Sequence, residues 1–527
     1  MSSIGVPVPP GFTISTETCK AFFDGGSQYP DGLEKEVMEH LSRLEALMGK
    51  KLGDADDPLL VSVRSGAAES LPGMMDTVLN LGMNDAAVEG LARVSGNERF
   101  AWDAYRRFIQ MFSDVVKGTS IEPYEHALEA MKKAKGVEED TQLDADDLAR
   151  LTAEYKAIFS KAAGEDFPQD PVKQMWDAIG AVFNSWNNPK AITYRRINDI
   201  RGLIGTAVNI VSMVYGNLGD DSGTGVCFSR DPSTGEKVFY GEYLMNAQGE
   251  DVVAGIRTPK ALVTLKDQNP TIYQQLEDVR AKLEAHYQNM QDMEFTIQQG
   301  NLFLLQTRNG KRTGAAAIRI AVDMVDEGLI NEEKAVTRVT PGQLDQVFHP
   351  MIDPLSKKKN KAVAKGLNAS PGAATGQIVF TADDAEEWVK QGKKVLLVRR
   401  ETSPEDIGGM HAAEGILTST GGMTSHAAVV ARGMGTPCVA GCKAVEVSNR
   451  KMVVAGTEYG EGDFITIDGS TGEVFSGAMD LIEPKVSGEL DRFLGWTDQV
   501  RATAQRTGLS EQSFSIRTNA DTPHDAD

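Results

Sequence analysis

The sequence has little of what secreted and membrane proteins depend on. Its 527 residues include four cysteines, Cys19, Cys227, Cys438 and Cys442, which are too few and too scattered for a disulfide framework. Cys438 and Cys442 lack the companion ligands that a zinc site needs, so reduced thiols are the better interpretation. No run approaches the roughly 18 consecutive apolar residues of a membrane span. These shortages predict a protein with no disulfides and no membrane segment.

Basic residues are also in the minority. Lysine and arginine together number 54 against 75 aspartates and glutamates, a formal net charge of −21. So acidic a surface argues against nucleic acid as a general partner. The first residues lack the basic start of a signal peptide and the arginine-rich pattern of a transit peptide. They predict a cytoplasmic protein, or a plastid protein whose transit peptide is absent from this chain. The length predicts several domains.

What the sequence does contain is a turn of glycines and hydroxyl residues before a short apolar stretch, GGMTSHAAVVAR at residues 421–432. Thr424 is predicted to be the N-cap of a helix that covers residues 425–432 and stops at Gly433. His426 then lies in the first turn, where unpaired N–H groups and the helix dipole attract phosphate. An imidazole held there can accept a phosphoryl group as a covalent phosphoramidate. The alternative is a histidine that only caps a helix.

A second candidate site begins at Arg64, where an apolar strand over residues 59–66 leads into a loop of glycine and serine. An arginine in that position can bind phosphate through two parallel N–H bonds. The next loop, residues 73–76, is positioned to fold over a nucleotide. The alternatives are a solvated arginine at a strand end and an ordinary turn.

A predicted hairpin over residues 291–308 is the third candidate. Asp292 and Glu294 share one face of its first strand, and Gln306 and Arg308 share one face of the second. A three-residue loop, 299–301, would set Glu294 opposite Gln306 and Asp292 opposite Arg308. That arrangement supplies oxygen ligands for Mg²⁺ and a cation for phosphate. The alternative is an amphipathic surface hairpin with a salt bridge.

Periodicity and breakers divide the rest of the chain. Helices are predicted over 33–48, 315–327 and 331–339, and throughout the charged segment 85–165. Strands are predicted at 5–16, 59–66, 377–380, 394–398, 415–417, 464–467 and 513–519, with a sheet-rich region over 192–308 and the best linker candidate at 341–365.

Residues 421–432 closely resemble the phosphohistidine signature of the phosphoenolpyruvate-utilising enzymes. Residues 61–76, 222–235, 246–253 and 291–312 resemble the ATP-grasp portion of one branch of that family, the pyruvate, phosphate dikinases, and the similarity covers essentially the whole chain. The resemblance implies an α/β and α+β multidomain fold, in which an ATP-grasp nucleotide-binding domain with a helical insertion is followed by a swivelling α/β phosphohistidine domain.

The domain boundaries that the resemblance implies are 1–84 (N-terminal ATP-grasp subdomain, incomplete), 85–190 (helical insertion), 191–312 (C-terminal ATP-grasp subdomain), 313–365 (helical linker), 366–476 (phosphohistidine domain), 477–512 (linker helix) and 513–527 (start of a barrel that binds phosphoenolpyruvate and pyruvate). The phosphohistidine domain is expected to swing on its two linkers.

The same resemblance assigns roles to single residues. It implies that His426 carries phosphate, that Arg64, Asp292, Glu294, Gln306 and Arg308 bind ATP, and that Glu294 and Gln306 are the Mg²⁺ ligands. Thr424 corresponds to a threonine that is reversibly phosphorylated in plant relatives, where added phosphate would crowd the anion site with like charge. Simple N-capping is the alternative role.

The implied reaction interconverts ATP, phosphate and pyruvate with AMP, pyrophosphate and phosphoenolpyruvate. A water-using phosphoenolpyruvate synthase and an enzyme I-like phosphocarrier are the alternatives. The resemblance also implies that an ATP-contacting lysine before residue 1 and the barrel after residue 527 are missing. This chain alone is therefore not expected to complete the reaction or to reach pyruvate or phosphoenolpyruvate. The resemblance implies a homodimer for the full-length enzyme, with the dimer contact largely in the barrel.

Overall fold

The first part of the chain forms a small sheet flanked by helices. The structure is a computed structural model that describes residues 1–71, 73–253, 258–347, 350–482 and 488–506. Its first elements are β1 (Gly11–Ile14), α1 (Thr16–Asp24), α2 (Leu33–Met48), β2 (Lys51–Leu52), β3 (Pro58–Leu59), β4 (Val61–Gly66) and β5 (Thr77–Leu81). Helix α2 has the bounds predicted from its periodicity, because Val37, Leu41 and Leu44 recur on one buried face.

A helical segment follows. It consists of α3 (Asp85–Ser95), α4 (Glu98–Lys117), α5 (Glu122–Lys135), α6 (Ala145–Ala163), α7 (Pro171–Ser185) and α8 (Pro189–Ile197). Buried aromatic rings hold it together. The ring centroids of Phe108, Phe112 and Phe159 lie 5.2–5.6 Å from that of Phe167, and the centroids of Phe112 and Phe159 are 6.3 Å apart. The prediction of a helical stretch here is confirmed.

The chain then returns to the first sheet and builds a second one. Its elements are β6 (Ala207–Ser212), β7 (Gly223–Phe228), β8 (Tyr240–Met245), α9 (Gly249–Val253), β9 (Lys260–Ala261), α10 (Leu265–Gln268), α11 (Pro270–Tyr287), β10 (Gln291–Gln298) and β11 (Asn301–Asn309). Within the described residues the first sheet has the order β1-β6-β4-β5 and the second β11-β10-β7-β8-β9, and every pairing in both is antiparallel.

The hairpin β10–β11 pairs the residues that the sequence predicts. Asp292 lies opposite Arg308, and Glu294 lies opposite Gln306. Directly opposed residues share a face of the sheet, so all four side chains belong to one side of the hairpin.

The predicted three-residue loop is nevertheless wrong. Gln298 pairs with Asn301, which leaves a two-residue turn, Gln299–Gly300, with φ of 48° and 71°. Two left-handed residues are what a tight hairpin turn of this kind requires. The register shifts between Glu294 and Phe295, so that Leu305 is an extra, bulged residue. The extra residue shifts the register by one, so Glu294 lies opposite Gln306 and Asp292 opposite Arg308 even though the turn is shorter than predicted.

The segment predicted to be a linker contains more structure than expected. After α12 (Gly314–Asp326) and α13 (Glu332–Arg338) come α14 (Pro341–Gln346), β12 (Met351–Ile352), α15 (Pro354–Lys359) and β13 (Ala364–Lys365). The Gln346 side chain accepts a hydrogen bond from the Gly314 N–H at 2.8 Å, which fastens α14 to α12.

The last part is a mixed sheet with helices. Its elements are β14 (Leu367–Ser370), β15 (Ala373–Val379), α16 (Ala382–Lys390), β16 (Val395–Arg399), α17 (Ile407–Ala412), β17 (Gly415–Thr418), α18 (His426–Met434), β18 (Cys438–Ala440), β19 (Val445–Ser448), β20 (Lys451–Val454), β21 (Thr457–Gly460), β22 (Phe464–Asp468), β23 (Glu473–Ser476), β24 (Leu481–Ile482) and α19 (Glu489–Arg506).

The described strands of the main sheet follow the order β13-β23-β22-β15-β16-β17-β18-β14, and its centre, β15 to β18, is parallel. The strands predicted at 377–380, 394–398, 415–417 and 464–467 correspond to β15, β16, β17 and β22. The strand predicted at 513–519 lies outside the described residues. Among the helices that the structure describes, none has both the length and the apolar character needed to span a bilayer.

Candidate functional site

His426 lies where the parallel strands end. Helix α18 follows β17, and the seven-residue connection between them carries the two glycines and the hydroxyl residues of the motif. Groups at the carboxyl ends of parallel strands face a common crevice, which is the usual place for a ligand in such a sheet. Gly421 has φ of 101°, a conformation open to glycine, and a Cβ there would approach Ser425 Oγ to 2.9 Å.

The prediction that Thr424 caps the helix is wrong. The N-cap is Ser425, whose side chain makes no capping bond, and α18 ends at Gly435 (φ 75°), not at Gly433. Thr424 Oγ1 instead donates to Glu242 Oε2 at 3.0 Å. The hydroxyl is held by a carboxylate from a distant strand, a partner that local sequence cannot reveal. Phosphorylation of Thr424 stays a prediction.

The His426 ring is held at one nitrogen and free at the other. Nδ1 lies 3.0 Å from Thr402 Oγ1. Nε2 is buried and has no hydrogen-bond partner among the described residues. The tautomer with its proton on Nδ1 donates to Thr402 and leaves the Nε2 lone pair available. This is the arrangement that a nucleophilic imidazole needs.

The surroundings of His426 favour the neutral ring. Burial lowers its pKa from 6.5 to about 4, and Lys190 acts in the same direction, although Asp406 and Glu405 oppose it. A neutral imidazole at pH 7 has the lone pair that phosphoryl transfer requires.

Replacing Thr402 with valine should slow phosphorylation of His426 by up to about tenfold, because the hydrogen bond that holds Nδ1 is lost. Thr402→Ser retains the hydroxyl and should recover most of the rate. The measurement is the initial rate of phosphohistidine formation with Mg-ATP. Equal rates for the valine and serine variants would contradict a positioning role for the hydroxyl.

The pH dependence should show the lowered pKa. Phosphorylation of His426 is expected to stay level as the pH falls from about 8 through 6.5 and to decline only as it approaches about 4. An unperturbed histidine would already be half protonated near 6.5. The unfolded chain takes up this proton first, so His426 makes unfolding easier as the pH falls from about 6.5 to about 4. Initial rates quenched in base test the profile, with nucleotide binding measured at each pH as the control; a half-maximal rate near pH 6.5 would refute it.

Glu242 joins the histidine-bearing sheet to the second sheet. It lies on β8 and accepts hydrogen bonds from the Thr424 hydroxyl and from the backbone N–H groups of Met423 and Thr424. A Cβ at Gly422 would come within 2.8 Å of its carboxylate, so a larger residue there would push the Glu242 carboxylate out of its present position. Burial raises the pKa of Glu242, whereas the three donors oppose that shift.

The loop at residues 73–76, predicted to fold over a nucleotide, lies against the histidine. Gly73 has φ of 73°, and a Cβ there would lie 3.5 Å from His426 Cδ2. Lys190, at the start of α8, lies between this loop and the segment that follows β16. Its Nζ is 3.5 Å from Asp76 and 3.6 Å from Glu405. His426 is therefore enclosed by residues of both the first and the last parts of the chain.

One large cavity brings the predicted site residues together. It has a volume of about 2490 Å³ and is lined by Arg64, Glu294, Gln306, Arg308 and His426. These residues come from three separate segments of the sequence. Their roles in nucleotide binding stay predictions.

Asp292 lies beneath this surface and supports it. It is 1% exposed, and its carboxylate accepts a hydrogen bond from Arg308 Nε at 2.7 Å. Arg308 Nη2 lies 3.8 Å from Glu294. Burial opposes the charge on Arg308, but the two carboxylates outweigh it and raise the pKa of the guanidinium. Arg308 is thus a fixed cation at the cavity wall.

Glu294 and Gln306 are the two side chains predicted to share a magnesium ion, and that role stays a prediction. They face each other across the hairpin and both line the cavity. No group of three or more His, Cys, Asp or Glu side chains that could hold a metal occurs in the part of the chain that the structure describes. Mg²⁺ is commonly held by one or two protein oxygens together with water and substrate phosphates, so two ligands suit it better than a complete protein cage.

Sequence reasoning missed Thr402, Glu242 and Lys190. Thr402 follows β16, one strand away from the histidine loop, and the rule that parallel strands end at a common edge could have suggested it. Glu242 and Lys190 carry no comparable local signal, because tertiary packing alone brings Glu242 to residues 422–424 and Lys190 to Asp76 and Glu405.

Most of this chain matches two known protein families. Residues 25–277 and 269–329 match the family described as pyruvate phosphate dikinase, AMP/ATP-binding domain, and residues 391–472 match the PEP-utilising enzyme, mobile domain.

Relatives from bacteria and plants resemble the whole chain. Pyruvate, phosphate dikinase of Clostridium symbiosum is 53% identical over 528 residues, which is 100% of this chain and 59% of that protein. Pyruvate, phosphate dikinase 1, chloroplastic, of Oryza sativa subsp. japonica is 54% identical over 100% of this chain and 54% of its own length. The chain thus spans little more than half the length of these relatives. The chain belongs to the pyruvate, phosphate dikinase family.

Proposed function

We propose that this chain is the ATP-using and histidine-carrying part of a pyruvate, phosphate dikinase. The observation that carries the proposal is the unpartnered Nε2 of His426, which belongs to a residue lining the same cavity as Arg64, Glu294, Gln306 and Arg308. A neutral nucleophile and a group of phosphate-binding side chains share one enclosed space. Nucleotide, phosphate and pyrophosphate are the proposed ligands, and pyruvate and phosphoenolpyruvate are proposed to bind elsewhere in the longer enzyme.

The products of the proposed reaction define the chemistry at His426. Release of AMP requires the bond between the α- and β-phosphates of ATP to break, so the Nε2 lone pair attacks the β-phosphorus and AMP leaves with the bridging oxygen. Inorganic phosphate then attacks the terminal phosphorus of the pyrophosphoryl-histidine, and pyrophosphate leaves while one phosphoryl group stays on Nε2. Two displacements thereby convert one ATP and one phosphate into AMP, pyrophosphate and phosphohistidine.

The chain's own residues supply positioning and charge for these steps. Arg64 and Arg308 would bind the nucleotide phosphates, and Asp292 would hold Arg308 in place. Thr402 would hold the Nδ1 proton while Nε2 reacts. Mg²⁺ at Glu294 and Gln306 would neutralise phosphate charge during transfer.

The test is the dependence of pyrophosphate formation on phosphate. The chain is incubated with Mg-ATP, and AMP, pyrophosphate and the protein-bound adduct are measured with and without inorganic phosphate. The dikinase proposal expects AMP and an acid-labile pyrophosphoryl adduct without phosphate, and pyrophosphate together with a phosphoryl adduct only when phosphate is added. Adduct formation that yields phosphate without pyrophosphate would favour the water-using synthase, and an absence of both adduct and AMP would overturn the proposal for this chain.

We also infer an ATP-grasp architecture for residues 1–312 and a swivelling unit at 366–476, with linkers on either side. Two antiparallel sheets facing one large cavity support the former. The contact between Glu242 and residues 422–424 is polar, and Leu71, Met74 and Trp186 add buried apolar contacts to the same unit, so the proposed separation would expose that apolar surface. A carrier that leaves the cavity could deliver its phosphoryl group to a distant second site.

Spin labels test the swivel directly. Glu125→Cys and Ser448→Cys place labels on exposed positions of the helical segment and of β19, while the four native cysteines are buried. The expected result is a distance distribution with a docked and a separated population. Crosslinking Thr258→Cys to Lys443→Cys with a bifunctional thiol reagent, which replaces the 3.4 Å contact between Thr258 Oγ1 and Lys443 Nζ, should leave only the docked population. A single docked distance without the crosslink would contradict the swivel.

A further inference from the structure

A second group of basic side chains lies where β11 leads into α12. Lys311 and Arg312 follow the hairpin directly, and Arg338 ends α13; all three line the large cavity. We refer to Lys311, Arg312 and Arg338 as the basic cluster. A Cβ on Gly433 of α18 would lie 3.6 Å from Lys311 Cδ, so the cluster borders the histidine-bearing helix.

The basic cluster has no carboxylate partner within ion-pair distance among the described residues. Arg312 is 6% exposed, and its one hydrogen bond is from Nη1 to Asn289 Oδ1 at 2.9 Å. Arg312 Nε and Arg338 Nε are both buried with no partner in the described part of the chain. Arg338 Nη2 reaches only a backbone carbonyl, that of Tyr287, at 3.3 Å. Buried guanidinium groups are normally paired with acids, because an isolated buried charge is costly.

The charges of the cluster act against one another. Burial, with smaller contributions from Arg338 and Arg230, lowers the pKa of Arg312 from 12.5 to about 10. Burial also lowers the pKa of Lys311, where Arg308 and Arg312 add to the effect and Glu69 opposes it. The nearby Arg230 is different, because Glu284 and Glu327 pair with it at 2.9 and 2.8 Å. The excess positive charge therefore belongs to the cluster itself.

Packing alone does not account for this arrangement. A chain with a net charge of −21 has ample acidic residues, and they neutralise the buried Arg106 and Arg230, whereas the buried Arg432 donates to the backbone carbonyls of Ala369 and Met423. At the basic cluster the three cationic side chains instead line a cavity, although the two Nε atoms are themselves buried. An anion that enters the cavity would pair with the cationic groups that line it and relieve their mutual repulsion.

We propose that Lys311, Arg312 and Arg338 form a second phosphate subsite in the cavity, separate from the Arg64–Glu294–Gln306–Arg308 group. Its ligand is a tetrahedral phosphate group, supplied either by free inorganic phosphate or by the terminal phosphate of a nucleotide. The position beside α18 keeps that phosphate close to the helix that bears His426. The binding of phosphate to this subsite does not depend on the proposed function. Only the role of that phosphate as a reactant rests on it.

Calorimetric titration of the intact chain tests the subsite. The probes are inorganic phosphate alone, AMP, and a non-hydrolysable ATP analogue with Mg²⁺. The variants are Arg312→Gln, Lys311→Gln and Arg338→Gln, and the matched control is Arg319→Gln, an exposed arginine of α12 that pairs with Glu236. Two of the three cluster residues are less deeply buried than Arg312, so a folding defect in one variant leaves the other two informative.

Arg312→Gln should weaken phosphate binding by about tenfold or more, because a charge-assisted donor is lost, while AMP binding stays unchanged. Weaker binding of the ATP analogue, with no binding of free phosphate to the native chain, would also support the subsite and would identify the nucleotide as the source. Three folded variants that bind every probe like the native chain would overturn it. If the native chain binds phosphate through the cluster but forms no adduct with Mg-ATP, the subsite stands and the proposed function fails.

Discussion

Replacing His426 with asparagine is expected to abolish covalent labelling of the chain by ATP. Asparagine retains a polar group of similar reach but offers no nitrogen lone pair that can form a phosphoramidate. The loss should be complete and not gradual, because the Thr402 hydroxyl and the other groups near Nε2 are not basic enough to replace it. Intact-protein mass spectrometry after incubation with Mg-ATP measures the adduct, with base quenching because a phosphoramidate is labile in acid.

His411→Asn is the matched control for this experiment. His411 is an exposed residue of α17 in the same sheet-and-helix unit, so its loss removes a histidine without altering the cavity. The control should be labelled like the native chain. Nucleotide binding should persist in His426→Asn, since Arg64, Glu294 and Arg308 are untouched. Labelling of His426→Asn to the native extent would mean that another side chain carries the phosphoryl group.

Glu294→Ala should have the second-largest effect, a fall in the rate of His426 phosphorylation of about 10²–10³-fold. The carboxylate is proposed to hold Mg²⁺ together with Gln306, and it also lies between two arginines. It is 3.8 Å from Arg308 and opposes the burial that lowers the pKa of Arg64. Its removal takes away a metal ligand and leaves two like charges without an intervening acid.

Binding measurements separate these two consequences. If Glu294 is a metal ligand, Glu294→Ala should lose most of the extra affinity that Mg²⁺ gives to ATP, whereas ATP without metal should bind as well as before or better. Glu236→Gln removes an exposed carboxylate that pairs with Arg319 and should behave like the native chain. An unchanged magnesium dependence in Glu294→Ala would exclude Glu294 as a metal ligand.

The sequence was sufficient where the information is local or periodic. The bounds of α2, the strands around His426 and the facing pairs Asp292–Arg308 and Glu294–Gln306 all follow from which residues must share a buried face. The hairpin also shows the limit of that reasoning. Alternation determined which faces must meet, but it could not distinguish an odd loop from a two-residue turn with a bulge at Leu305, since both satisfy the same alternation.

Thr424 shows why local rules failed at the site itself. Its position before an apolar helix satisfies the N-cap preference, yet its hydroxyl donates to Glu242, 182 residues away in sequence. The Thr424 hydroxyl bonds to a charged acceptor that tertiary packing brings within reach instead of capping the helix. That packing cannot be predicted from the residues next to Thr424 in the sequence. The same reason explains why Lys190 and Glu242 were not predicted.

The sequence by itself singled out the histidine predicted to react, the elements that flank it and the residues predicted to bind nucleotide, because motif, periodicity and residue chemistry are properties of short segments. Only the tertiary structure decided which nitrogen of His426 is free, which carboxylate holds its loop, and that Lys311, Arg312 and Arg338 lie together without acidic partners. Those facts depend on burial and on contacts between distant segments. They arise only when the three parts of the chain close around one cavity.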